Sequence, residues 1–388
     1  MLTYCMNIHP TQTYAETIQS LQGPVRKVKA GFSPKIDFPI GLRFSAETAR
    51  AVLAGGKTAE LADVLSDIGL LPLTMNGFPY GPFHGTRVKE NVYLPDWRAS
   101  ERVDYTHDLI TLMADINRPE TFLTISTVPG AFRPNGVGAE AAMTAKYIAS
   151  VADCIRIGRE KGQTIALAIE PEPFCFLETI EETIAFFKDY LFSREAAQTL
   201  AEKTGLALSQ AEQALHDQIG LCYDVCHAAV EFEDPAQNFK DLAAEGIEVH
   251  KIQLSSALRV AKGSPAMREA LAPFNEPTYL HQLISKGENG LRRFSDLPEA
   301  LGPDGAADGE EWRVHFHVPL FVETLAKFDS TQAFLKQVLA LHRKTPLSRH
   351  LEIETYTWDV LPDGIRAETI EQDILRELKW VSKQLAAV

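Results

Sequence analysis

Eight short apolar runs, at residues 2–8, 40–44, 71–75, 122–127, 165–169, 219–223, 249–254 and 351–354, recur along this chain, separated by stretches of helical period. Each run is too short for a helix and apolar on both faces. An antiparallel sheet with one wet face would alternate apolar and polar residues, whereas strands covered on both sides by helices read as continuous apolar runs. The pattern therefore predicts repeated βα units closing into an eight-stranded parallel (β/α)8 barrel, in preference to a sandwich. Glycines mark helix ends, as in 45–53 followed by Gly55-Gly56 and 143–159 followed by Lys161-Gly162, where the left-handed conformation closes the last turn.

The 388 residues exceed the roughly 250 of a plain barrel, and no change of composition marks a linker. One barrel spanning 1–388 with three additions is expected. The first is an irregular segment at 76–97 that mixes Gly and Pro with Phe78, Tyr80, Phe83, Tyr93 and Trp97. Because it follows a strand it belongs to the active face, either as a lid or as a cover packed by its own aromatics. The second is a helical insertion at 187–218, in which Ser209-Gln210-Ala211-Glu212 reads as a capping box. The third, at 258–312, is rich in Gly, Pro and charge and returns through an extra strand at 313–318.

Composition narrows the partners. With 38 basic and 52 acidic residues the formal charge is −14, and the densest basic stretch is Arg26, Lys27 and Lys29, so docking to a nucleic-acid backbone is disfavoured. Cys5, Cys154, Cys175, Cys222 and Cys226 form no CxxC pair, which fits a reducing compartment. The N-terminus lacks a basic head followed by an apolar signal segment, and no run approaches about 20 apolar residues. A soluble, cytoplasmic protein with a small-molecule partner and no membrane insertion is expected.

Barrel chemistry sits at the C-terminal ends of the strands. Three of the runs end in ligating groups: Glu170-Pro171-Glu172-Pro173, Asp224-Val225-Cys226-His227, and Glu352-Ile353-Glu354. Separately, Glu170 reads as a salt-bridge partner, Asp224 as a helix cap, His227 as a packed imidazole and Glu354 as a partner of Arg43. A carboxylate at the end of an apolar strand is costly to bury unless paired or bound to a metal, and three of them at one barrel mouth argue for a divalent cation, Zn²⁺, Mn²⁺ or Mg²⁺. Further nitrogen ligands or substrate contacts come from His315 and His317, which share a strand face by the two-residue period, and from His281. His9, His84 and His350 are further candidates for the mouth, whereas His107, His216 and His342 fall in helical stretches.

In order along the chain, Glu170, Asp224-Val225-Cys226-His227 and Glu354-Thr355 resemble the metal-site motifs of the xylose isomerase-like barrels, which include sugar isomerases, epimerases and the endonuclease IV group. Almost the whole chain is similar to the EboE family of metabolite traffic proteins. That resemblance rests on Leu2-Thr3-Tyr4-Cys5, the 76–86 segment from Asn76 to Thr86, Cys222 to His227, His315-Phe316-His317-Val318-Pro319-Leu320 and Glu354-Thr355-Tyr356-Thr357-Trp358. The EboE family does not fix a reaction; the xylose isomerase-like motifs imply a metal held by Glu170, Asp224 and Glu354, with Glu170 and Glu354 expected to be catalytic and His227, His317, His84, Tyr80 and Trp358 expected beside the substrate. One departure concerns the seventh strand, where those barrels place a metal-binding His and this chain has Gln253. The imidazole is then replaced by His281, His315 or His317 from the late insertion, or the site takes a harder metal through oxygen, or it has become a plain binding pocket with Gln253 among its contacts.

The expected activity is isomerisation or epimerisation of a small polyhydroxylated carbonyl metabolite, linked to secondary-metabolite processing or traffic. A non-catalytic carrier using the same pocket and a metal phosphodiesterase of the endonuclease IV type are the alternatives, the latter opposed by the acidic charge.

Overall fold

The computed structural model describes residues 1–81, 89–325, 327–358, 361 and 366–387. Among them, eight strands form one parallel sheet: β1 (Leu2–Tyr4), β2 (Phe38–Arg43), β3 (Leu70–Asn76), β4 (Phe122–Thr127), β5 (Thr164–Ile169), β6 (Ile219–Asp224), β7 (Val249–Leu254) and β14 (His350–Ile353). The order β1-β14-β7-β6-β5-β4-β3-β2 runs once around, and a parallel bridge between Cys5 and Gly41 brings its two edges together. The result is a nearly closed (β/α)8 barrel. Its first strand is shorter than the 2–8 run because residues Met6–Ile8 turn into a 3-10 helix, which carries Asn7 over the barrel mouth.

The helices cover the outside for the reason their sequences suggest. Along Glu140–Lys161 the buried residues Met143, Tyr147, Val151, Cys154 and Gly158 fall every three or four positions, one stripe facing the sheet, and Gly162 ends the helix at φ 68°. In the 187–218 segment two helices form, Arg194–Thr204 and Leu208–Gln218. The second has its N-cap at Ala207, two residues before the expected one. Ser209 lies inside it, and the Gln210 side chain accepts the Ala207 N–H at 3.1 Å.

The late insertion builds more than one returning strand. Among the described residues, β8 (Ala257–Val260), β9 (Leu283–Gly287), β10 (Gly290–Phe294), β11 (Glu311–His317), β12 (Thr324–Leu325) and β13 (Phe328–Ser330) form a six-stranded antiparallel sheet in the order β10-β9-β11-β8-β13-β12. It has an apolar cluster of its own, around Leu258, Leu283, Trp312, Val314, Phe316 and Phe328. The strand β11 reaches the mouth of the barrel. Its pairing with β8 shifts register between Val314 and His317, so its last residues leave the regular ladder where they meet the site.

The barrel interior is polar at one level. Lys251 on β7 and Glu352 on β14 form an ion pair at 2.6 Å with both side chains fully buried. Burial alone would lower the Lys251 pKa, but the Glu352 carboxylate overrides it and the ammonium is held charged. Space for the carboxylate comes from Gly41 on β2, where any Cβ would collide with it. Gly41→Ala is therefore expected to break the pair and destabilise the fold by about 3–5 kcal/mol, the penalty of a buried charge left without its partner. Urea unfolding measures this, and a change below about 1 kcal/mol would contradict the role given to Gly41.

Candidate functional site

Directly above this pair, at the C-terminal ends of the strands, the chain gathers its ligating groups. Glu170 extends β5 by one ladder bond, its N–H donating to Thr127 O at 3.0 Å, and Pro171 holds it extended. Glu354 extends β14 in the same way against Leu254 O. Its Oε1 accepts from the Asn7 and Asn76 amides at 2.6 and 3.2 Å. Asp224 ends β6 and caps the helix Val225–Val230. Its Oδ1 accepts the His227 N–H at 3.0 Å and the Ser255 hydroxyl at 2.7 Å. Asp224 is thus a helix cap with one oxygen, and the other oxygen is left over.

Glu170, Asp224 and Glu354 bring one carboxylate oxygen each to within 4.8 Å of one another, all buried. Glu170 Oε2 and Asp224 Oδ2 have no hydrogen-bond partner among the described residues. Burial, then the neighbouring Glu354 and Asp224 charges, push the Glu170 carboxyl well up, and burial with the Asp224 charge raises Glu354 to about 8. Lys251 acts on both in the opposite direction without reversing the shift. Like charges gathered in a dry pocket are the arrangement that a divalent cation relieves.

A nitrogen joins them from the second sheet. His317 donates its Nδ1–H to Glu354 O at 2.6 Å, which leaves the Nε2 lone pair unpartnered and within 4.8 Å of ligand atoms of Asp224 and His227. A carbonyl that fixes the tautomer behind a ligating imidazole is a common support in metal sites. Burial lowers the His317 pKa to about 4, so the ring is a neutral donor. The three carboxylates therefore fit a divalent ion, and His317 approaches that set on the Asp224 side. Gln253 stands in register with Asp224 and Glu352 but is fully buried and does not line the cavity among the described residues; its amide N and O both lack partners there.

The cavity over these groups has a volume of about 70 Å³, opens to solvent, and is lined by Phe78, Tyr93, Tyr279 and Tyr356 together with Glu172, His227 and His315 beside Glu170 and Glu354. Glu172 accepts from the Tyr93 hydroxyl at 2.6 Å. Its part in the site had no signal of periodicity, because it lies past the strand in a Pro-flanked turn. The only hint was the repeat of Glu at 170 and 172.

Several expected contacts lie elsewhere. His281 has both ring nitrogens engaged, Nδ1 with His315 O and Nε2 with Glu276, so it is a support behind β11 and not a ligand. Tyr80 packs edge-on against Tyr105 with Arg102 over its face, away from the cavity. Trp358 is buried in the apolar cluster of the second sheet, against Phe321. His9 bonds the Tyr4 hydroxyl, and His350 opens β14 at the opposite end of the barrel, beside Thr124. Arg43 donates to Pro79 O and Gly81 O, not to Glu354. In the 76–97 segment, Phe83 and His84 lie outside the described residues, with the rest of 82–88. The described aromatics of that segment are anchored, Trp97 through its Nε1–H to Thr127 and Tyr93 through Glu172.

A divalent ion entering this site must displace the protons that burial keeps on Glu170 and Glu354. With Glu354 near 8, affinity is expected to climb as pH rises from 6 to 8, by about tenfold per unit for each proton displaced. Calorimetric titration of chelator-treated protein with Mn²⁺ checks this, and equal affinities at pH 6 and pH 8 would contradict the protonated carboxyls.

No helix among the described residues is long and apolar enough to cross a membrane. No family model matches the chain, and no curated protein matches it. Solved structures similar to it include the probable 3-DHS dehydratase AsbF involved in petrobactin synthesis from Bacillus anthracis, at 11% identity over 98% of both chains with a TM-score of 0.45. Also similar are a xylose isomerase-like TIM barrel protein from Mycobacterium smegmatis in complex with magnesium (14% identity, 96% of this chain and 90% of that one, TM-score 0.47) and the IolI protein with a bound zinc atom (11% identity, 99% and 98%, TM-score 0.46).

Proposed function

We propose that this chain is a divalent-metal-dependent isomerase or epimerase acting on a small polyhydroxylated carbonyl metabolite, in the metabolite-processing or traffic setting that the EboE resemblance implies. The observation that carries it is the set of three buried carboxylates, Glu170, Asp224 and Glu354, within 4.8 Å of one another, of which Glu170 and Glu354 line the cavity, with the unpartnered imidazole nitrogen of His317, another lining residue. Glu170, Asp224, Glu354 and His317 are the residues that would hold the ion, Zn²⁺, Mn²⁺ or Mg²⁺. When bound, a divalent ion there supplies Lewis-acid polarisation of a carbonyl oxygen.

The side chains do the rest. Glu170 Oε2, with no competing donor among the described residues, takes the proton from the carbon next to the carbonyl; a carboxylate with a raised pKa is the stronger base. Glu354, its Oε1 held by Asn7 and Asn76, takes up a proton from solvent and delivers it to the other face or the neighbouring carbon, and Glu170 releases the proton it took to solvent to close the cycle. Asp224 cannot swing to share that task, because the helix N-terminus and Ser255 fix it. Phe78, Tyr93 and Tyr356 exclude water above the reacting carbon.

Proton abstraction is read directly as exchange of the α-hydrogen for deuterium, followed by NMR in D2O with Mn²⁺-loaded protein and a panel of aldoses, ketoses and cyclic hydroxyketones. Exchange is expected with at least one compound, and Glu170→Gln and Glu354→Gln are each expected to reduce it by about 10²–10⁴-fold while the thermal transition stays sharp. Saturable binding of a compound with no exchange in the native protein would contradict catalysis and leave the carrier reading.

A further inference from the structure

A pair of imidazoles beside the carboxylates meets in a way that hydrogen bonding among the described residues does not account for. His227 Nε2 and His315 Nε2 lie 3.1 Å apart, both buried. Each ring has already committed its other nitrogen as a donor. His227 Nδ1–H points at Pro171 O at 2.9 Å, an oxygen that can only accept. His315 Nδ1 faces Gln282 Oε1 at 2.8 Å, and the Gln282 amide cannot be turned over, because its Nε2 donates to Pro173 O at 3.1 Å and bonds the Tyr93 hydroxyl at 3.0 Å. In neutral rings so held, both Nε2 atoms present lone pairs to each other. Two lone pairs at that separation in a dry pocket need an electrophile between or astride them.

The third side of this gap is Glu172, which offers a carboxylate oxygen within 4.8 Å of ligand atoms of both histidines and lies 3.8 Å from the His315 ring at Nδ1. Two imidazole nitrogens bound to one ion at about 2.0–2.1 Å stand roughly 2.9–3.3 Å apart for angles between octahedral and tetrahedral, and 3.1 Å lies within that span. A shared proton is the other conceivable occupant. The two occupants differ in what they bring: a proton leaves the metal content of the protein unchanged, whereas an ion raises it by one.

We infer that Glu172, His227 and His315 form a second cation position beside the first, taking a borderline transition-metal ion such as Zn²⁺, Co²⁺ or Mn²⁺. Its carboxylate comes from the Pro-flanked turn after β5, one imidazole from the helix after β6, and the other from β11 of the second sheet. The inserted sheet thus contributes to both positions, His317 to the first and His315 to the second. Gln282 and Tyr93 act as positioning residues, since they decide which nitrogen of His315 is free to ligate. The inference does not depend on what reaction the cavity performs.

The test is titration of chelator-treated full-length protein with Co²⁺ alone at pH 8, read by visible absorption and by elemental analysis after gel filtration. Two ions per chain are expected in the native protein. His315→Ala and Glu172→Gln, changed on separate elements, are each expected to lose one of the two, whereas Glu354→Gln retains the ion at the two histidines. A native stoichiometry of one overturns the second position without any variant. So does a stoichiometry of two that neither His315→Ala nor Glu172→Gln reduces in protein whose thermal transition matches the native one.

Discussion

The cost of burying Glu170, Asp224 and Glu354 together is the constraint around which the rest of the molecule is arranged. Each sits at the end of an apolar strand, where hydration is lost, and each repels the other two. The protein meets part of this cost with its own groups. Asn7 and Asn76 bond one oxygen of Glu354, the helix N-terminus and Ser255 bond one of Asp224, and Lys251 places a charge beneath them that Glu352 keeps ionised. What is left over is Glu170 Oε2, Asp224 Oδ2 and the Nε2 of His317, and of these residues Glu170 and His317 line the cavity. A barrel held together by hydrophobic burial alone would have no reason to retain these groups, since apolar side chains of the same volume pack at no electrostatic cost.

The second sheet gains its significance from the same constraint. Gln253 on β7 is fully buried and does not line the cavity among the described residues. The antiparallel sheet brings β11 over the mouth instead, and the irregular end of that strand turns both His315 and His317 to the cavity. The loop after β14 fastens it there, with the His317 ring bonded to Glu354 O and the Thr357 hydroxyl to His317 O. An insertion with its own apolar cluster is a rigid support, and a rigid support is what a ligand set from two separate sheets requires.

The barrel strands were legible because parallel strands are apolar on both faces, and all eight lie within a few residues of the expected runs. The strand-end acids were legible because a charged residue after such a run stands out. The second sheet was legible only through β11. Strands β9 and β10 are five residues each and carry Lys286, Arg292 and Arg293, so they read as a charged loop, although Arg293 turns inward to pair with the buried Glu231. Aromatic motif residues were the least reliable guide, since Tyr80 and Trp358 serve packing while Tyr93 meets the site. His281 was singled out for its residue type, yet it is the adjacent Gln282 that controls a ligand.

The cation is the central claim, and it has a direct observation. Crystals soaked in Mn²⁺ and measured at the manganese absorption edge should show an anomalous peak about 2.0–2.3 Å from oxygens of Glu170, Asp224 and Glu354 and from His317 Nε2. Ordered density with those four side chains in place and no anomalous peak among them would contradict it.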